Sequence, residues 1–116
     1  MRPVAGSIVL CDWRGGAIPN EPTGLRPAVV VEDDQLFADY PNLLVVPLTT
    51  DPTLAHATFA VRIDPTPANG GTAVSWALAH HATTLSMRRV QARDTHVSAE
   101  QLTQIRQRIA LSIGAA

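Results

Sequence analysis

The chain has 116 residues, with nine basic side chains (every one an arginine) against ten acidic ones, for a formal net charge of −1. That length suits one domain spanning residues 1–116, and an apolar content of 46% excludes a disordered tail. Near-neutrality argues against a uniformly basic nucleic-acid coat protein but leaves room for a local anion site. The charge is also unevenly spread. Residues 1–50 hold three arginines and six acids, whereas residues 51–116 hold six arginines and four acids. Cys11 is the single cysteine, so no intrachain disulfide can form and a reducing compartment is expected. The first residues, Met1-Arg2-Pro3-Val4-Ala5-Gly6-Ser7, lack the apolar run of a signal peptide. The apolar stretches are far too short to span a bilayer. A cytoplasmic protein with no membrane partner is the expectation.

Residues 7–13, β-branched and apolar after a turn signal, predict a first strand. Residues 14–25 collect Gly15, Gly16, Pro19, Asn20, Pro22 and Gly24, which predicts a long loop. Loops of that length in compact domains are usually functional or disordered. Residues 27–32 read as a second strand, apolar enough to be buried on both faces. A short helical turn is expected within 33–41. A third strand follows over 42–49, whose Pro47 predicts an edge or a bulge. Residues 58–64 alternate as a half-exposed strand does. Residues 72–79 and 88–97 predict two more strands on either side of 80–87.

The last element is a helix. Ser98 and Gln101 match a capping box. Leu102, Ile105, Ile109 and Ile113 recur at helical spacing, Arg106 and Arg108 lie on the other side, and Gly114 stands where a helix ends. Five or six short strands and one terminal helix predict a mainly β fold, a small and strongly bent barrel or sheet with a helical lid.

Metal chemistry finds no foothold in the pattern. His80 and His81 are adjacent, so on a strand they face opposite sides, and His56, His96 and Cys11 lack ligand spacing. Gly15-Gly16 lacks the sequel of a phosphate-binding loop, and no nucleophile elbow is present. No cofactor is expected. What remains is Arg26, which opens a buried strand after a Gly/Pro loop, with Glu21 upstream and Thr49-Thr50 closing another strand. By itself such an arginine can equally snorkel over a sheet edge.

The order of motifs resembles the MazF/PemK family of toxin endoribonucleases from bacterial toxin–antitoxin pairs. Gly6-Ser7-Ile8-Val9-Leu10-Cys11-Asp12-Trp13 is similar to the family's opening strand with its Asp. Asn20-Glu21 through Gly24-Leu25-Arg26-Pro27-Ala28-Val29-Val30-Val31 resembles its acidic loop and Arg-Pro-Ala-Val-Val strand. Val45-Val46-Pro47-Leu48-Thr49-Thr50 is similar to its Val-Pro-x-Thr-Thr/Ser strand. Ala77-Leu78-Ala79, then Leu85 and Arg88-Arg89-Val90, follow its later stretches, and Val97-Ser98 leads into its closing helix.

The resemblance implies an SH3-like small barrel of the MazF/Kid/CcdB type acting as a homodimer. It implies metal-independent cleavage of single-stranded mRNA at short sequences and neutralisation by a cognate antitoxin. Its catalytic pair carries over to Arg26 and Thr49. There are departures: His80-His81 stand where the family usually has Asp-Gln, Thr83 replaces a basic residue, and Leu78 replaces an arginine found in some members.

Metal-free cleavage uses the RNA 2′-OH as nucleophile and needs a base, a cation on the phosphorane and an acid for the leaving oxygen. Arg26 suits the cation's task, since its planar fork matches phosphate oxygens and it stays charged. Thr49 can donate a hydroxyl hydrogen bond. Glu21, His80 and His81 are the candidates for base or acid. Arg14, Thr50, Arg62, Thr83 and Arg88 are the candidate RNA contacts. Two rivals stay open: a family member that binds RNA or antitoxin without cutting, and a gyrase-poison-like binder. The tail Ser112-Ile113-Gly114-Ala115-Ala116 lacks the Trp-Gly-Ile-type ending of the second.

Overall fold

The computed structural model describes residues 2–13 and 24–116. Among them run β1 (Ser7–Asp12), β2 (Leu25–Val30), β3 (Asn42–Thr49), β4 (Ala60–Ile63), β5 (Ser75–Leu78), β6 (Thr83–Ser86), β7 (Val90–His96) and α1 (Ala99–Ser112). The strands pair antiparallel in the order β4-β5-β3-β2-β1-β7, and β6 pairs with β3 off that path. The mainly β fold with a C-terminal helix is therefore as expected, with one strand more. That strand, β6, falls inside 80–87. It has a single apolar residue, Leu85, in Thr83-Thr84-Leu85-Ser86, too little for a period to show.

Strand β3 organises the sheet. One side pairs with β2, while the other pairs with β6 over residues 42–45 and with β5 at Leu48 and Thr49. Pro47 was expected to mark an edge or a bulge. It marks neither, because β3 is central and its register with β2 runs unbroken through Ala28–Pro47, Val29–Val46 and Val30–Val45. Pro47 instead lies where β3 has left β6 and not yet met β5, so its missing N–H coincides with the change of partner.

Alternation along the apolar run Pro27–Val30 of β2 sends side chains into two cores, as a strand segment buried on both faces should. Val29 joins Ile8, Val46, Leu48, Ile63 and Ala77 beneath α1, whose Ile105, Leu102 and Ile109 close that layer. Ala28 and Val30 join Val9, Cys11, Trp13 and Val45 on the opposite face, with Leu85, Met87 and Val90 packed against them.

The capping box forms as expected. Ser98 Oγ accepts from Gln101 N at 3.1 Å, and Gln101 Oε1 accepts from Ser98 N at 2.9 Å. Gly114 takes the left-handed conformation at φ 77° just past the helix. Two expectations about α1 need correction. Ile113 is not in the apolar row, because the helix ends at Ser112 and leaves it 74% exposed. Arg106 does not simply face water: its Nε and Nη2 donate to the carbonyls of Val31 and Glu32, both at 3.0 Å.

Residues 33–41 turn as expected but form no helix; Asp33 Oδ2 accepts from Gln35 N and Leu36 N. The base of this turn is held by a buried carboxylate. Glu32 is paired with Arg2 through Nε–Oε2 at 2.8 Å and accepts from Leu44 N at 3.0 Å. A buried charge persists only when paired in this way.

Candidate functional site

Arg26 sits on β2 opposite Cys11 of β1. Two residues on, Ala28 pairs with Pro47, and Thr49 lies two residues beyond Pro47. The same register carried outward sets Arg26 opposite Thr49. Thr49 in turn pairs with Trp76 of β5, and Trp76 with Arg62 of β4. Directly opposed residues share a face. A single transverse row, Cys11–Arg26–Thr49–Trp76–Arg62, thus crosses five strands on the face away from α1.

Thr49 is only 2% exposed, and its Oγ1 accepts from Asp51 N at 3.1 Å. Accepting that bond turns the hydroxyl's own proton away from the Asp51 amide. The Asp51 carboxylate accepts from Thr53 Oγ1 at 2.7 Å and Thr53 N at 2.9 Å. The Thr53 hydroxyl, and then its backbone N–H, hold the Asp51 carboxyl below its ordinary 3.8. Asp51 is therefore a carboxylate at neutral pH and no proton donor. Burial pushes the Cys11 thiol up to about 12, which removes it as a nucleophile.

The other candidates are distributed as follows. Arg14 and Glu21 lie outside the described residues. Arg62 is exposed and paired with Asp64 at 2.9 Å. Thr50 faces away from Thr49 and lines a cavity of about 260 Å³ with Ile8, Leu10, Leu48 and Arg93 on the α1 side of the sheet. Thr83 shares the row's face, but it pairs with Val45, about 13 Å along β3 from Thr49 at the usual strand rise. Arg88 lies in the turn after β6, whose last residue pairs with Asn42 at the far end of β3. It does not join Arg26 and Thr49 in one protomer.

His80 and His81 are not on a strand. They occupy a 3₁₀ turn, Ala79–His81, between β5 and β6. Both gather on Phe59, with ring centroids 5.3 and 6.1 Å away, and His56 stacks on the same ring at 5.4 Å and 7°. Phe59, Asp51 and Trp76 were not singled out by the sequence. Phe59 and Trp76 carry no distinguishing spacing; ring contacts show what stands beside Phe59, and the cross-strand register what stands beside Trp76. Among the described residues no group of three or more His, Cys, Asp or Glu is placed to hold a metal ion.

Residues 5–113 match the family model for the PemK-like, MazF-like toxin of type II toxin–antitoxin systems. The chain belongs to this family. It is thus a MazF-like toxin of a type II toxin–antitoxin system. Its fold is similar to that of MazF from Deinococcus radiodurans, at a TM-score of 0.76 and 23% identity over 98% of each chain. It is also similar to an endoribonuclease solved with its cognate antitoxin from a mycobacterial species. That match has a TM-score of 0.76 and 18% identity, covering 99% of this chain and 98% of the other. A MazE–MazF complex from Deinococcus radiodurans matches at a TM-score of 0.74 and 23% identity, over 100% and 99% of the two chains. No curated protein sequence matches the chain. No helix among the described residues is long and apolar enough to cross a membrane.

Proposed function

We propose that this toxin is a metal-independent, sequence-selective endoribonuclease that cleaves single-stranded mRNA by attack of the 2′-OH, inhibiting translation and growth. The observation that carries the reading is the β2–β3 register, which brings the family's matching pair, Arg26 and Thr49, onto one face. Arg26 provides a permanent bidentate cation for charge growing on the phosphorane. Thr49 donates its hydroxyl to a non-bridging oxygen. Guanidinium is too costly to deprotonate to act as the base. The candidates for that task are Glu21, His80 and His81; the two histidines sit on the turn that packs against α1, so Glu21 is the one favoured. Arg14, Arg62, Thr83 and Arg88 are the proposed RNA contacts, with those far along β3 serving a substrate that extends beyond one site; Thr50, expected among them, lines the cavity on the opposite face of the sheet. A homodimer in the cytoplasm, neutralised by a cognate antitoxin, completes the proposal.

Purified wild type incubated with a long single-stranded RNA in EDTA should give discrete fragments. Arg26→Ala should cut at least 100-fold more slowly while keeping the fold, by analogy with the loss of an oxyanion donor. A folded Arg26→Ala protein that cuts like wild type would end the assignment.

A second reading, a binder that no longer cuts, draws on the histidines. The positions usually held by Asp-Gln carry His80 and His81 packed on Phe59. Intact RNA with a mobility shift in the same experiment selects it.

A further inference from the structure

The two tryptophans have different surroundings. Trp13 is 4% exposed inside the core layer beyond β2. Trp76 is half-buried, although its strand neighbours Ala77 and Leu78 are fully buried. Among the described residues no other aromatic ring stacks on Trp76. Its position is set by pairing on both sides: Thr49 is its partner on β3 and Arg62 its partner on β4. Cross-strand neighbours of this kind lie about 5 Å apart at Cβ. An indole therefore stands between a buried hydroxyl of the candidate reacting pair and an exposed guanidinium.

A single-stranded RNA offers alternating chemistry at a matching scale: a phosphate, then an unstacked base, then the next phosphate. Unpaired bases are recognised by stacking on aromatic side chains, and arginines hold the flanking phosphates. We propose that Trp76 is the platform on which the base beside the scissile phosphate stacks, while Arg62 receives the next phosphate. In that arrangement Arg26 and Thr49 hold the reacting phosphate at one end of the row. The Arg62–Asp64 pair, with side chains 64% and 67% exposed, exchanges its carboxylate for phosphate at little cost. The assignment rests on the endoribonuclease reading above and adds a residue that binds and selects the nucleotide. It gives Trp76 no part in bond breaking.

The test keeps the two readings apart. Cleavage sites of the wild type are mapped on a long single-stranded RNA. A short oligonucleotide carrying a mapped site, with deoxyribose at the cut position, then serves as an uncleavable probe. If the wild type produces no cuts, the endoribonuclease reading falls and this assignment with it. If it cuts, Trp76→Ala should raise KM and the probe's Kd about tenfold or more, with a smaller change in kcat, as loss of one stacked base does. Trp76→Phe, which keeps a stacking ring, should recover most of the loss. The probe should quench wild-type indole fluorescence, and the quench should vanish in Trp76→Phe, where only the buried Trp13 emits. An unchanged KM in Trp76→Ala, an equal loss in both variants, or a quench that survives in Trp76→Phe overturns the assignment. Should Trp76→Ala fail to fold, the Trp76→Phe kinetics and fluorescence decide alone.

Discussion

Cys11 lies beside Arg26 in the row, yet its chemistry is set by the core behind it. Burial favours the neutral thiol, so the folded group titrates near 12, above its ordinary 9.0. Above pH 9 the unfolded chain releases this proton and the folded chain keeps it. The unfolded state then binds fewer protons, and stability falls as pH rises through that window. The slope approaches one proton, or about 1.4 kcal/mol per pH unit. With no lysine in the chain, few other groups obscure the effect. Urea unfolding at pH 8.5 and pH 10 should show a steeper loss for wild type than for Cys11→Ala. Equal losses would mean that the thiol does not titrate as its burial requires. At neutral pH the same burial leaves a silent thiol next to the proposed phosphate site, where an ionised sulfur would repel the substrate.

At the scale of elements, α1 is fastened to the sheet by more than its apolar stripe. Arg106 reaches over the edge of β2's continuation and binds two carbonyls that have left the ladder, those of Val31 and Glu32. Charge-assisted bonds of this kind contribute roughly 1.5–3 kcal/mol each when buried, and less at this partly exposed site. Arg106→Ala is expected to lower the urea midpoint by an equivalent of about 1–2 kcal/mol without changing the m-value. A shift within error would show the contact to be idle.

The same helix shows what could be read beforehand and what could not. Its cap, its Leu102–Ile105–Ile109 stripe and its terminal glycine are local signals and were legible in the chain. The partners of Arg106 lie some 75 positions away and were not. Strands β1, β2 and β3 were legible because apolar runs and turn residues are also local. Strand β6 was not, since its pairing with β3 rather than its composition makes it a strand. Arg26 and Thr49 stood out by elimination, but only the family resemblance joined them as a catalytic pair. Trp76 stayed hidden because a tryptophan in an apolar run has no distinguishing spacing, and its meaning comes from the two residues beside it.

For the whole molecule, the change of partner along β3 divides the sheet. β6 pairs with the first half of β3 and β2 lies along its other side, carrying β1 and then β7, whereas β5 attaches only through Leu48–Ala77 and Thr49–Trp76, and β4 only through β5. The β4–β5 leaf is then held by two residue pairs and by the apolar layer under α1. Regions with such limited pairing open locally below the global unfolding free energy. Native-state hydrogen exchange should show amides of Val61 and Ala77 exchanging faster than those of Val9, Val29 and Val45. Equal protection throughout would show that the sheet opens as one.

The transverse row crosses this division between Thr49 and Trp76. A strand of RNA lying along it would touch both leaves at once and act as a clasp. By linkage, whatever binds across the seam must slow its opening, and whatever loosens the seam must weaken that binding. Molecules that wedge the β4–β5 leaf away from β3 would thus disarm the toxin without touching Arg26.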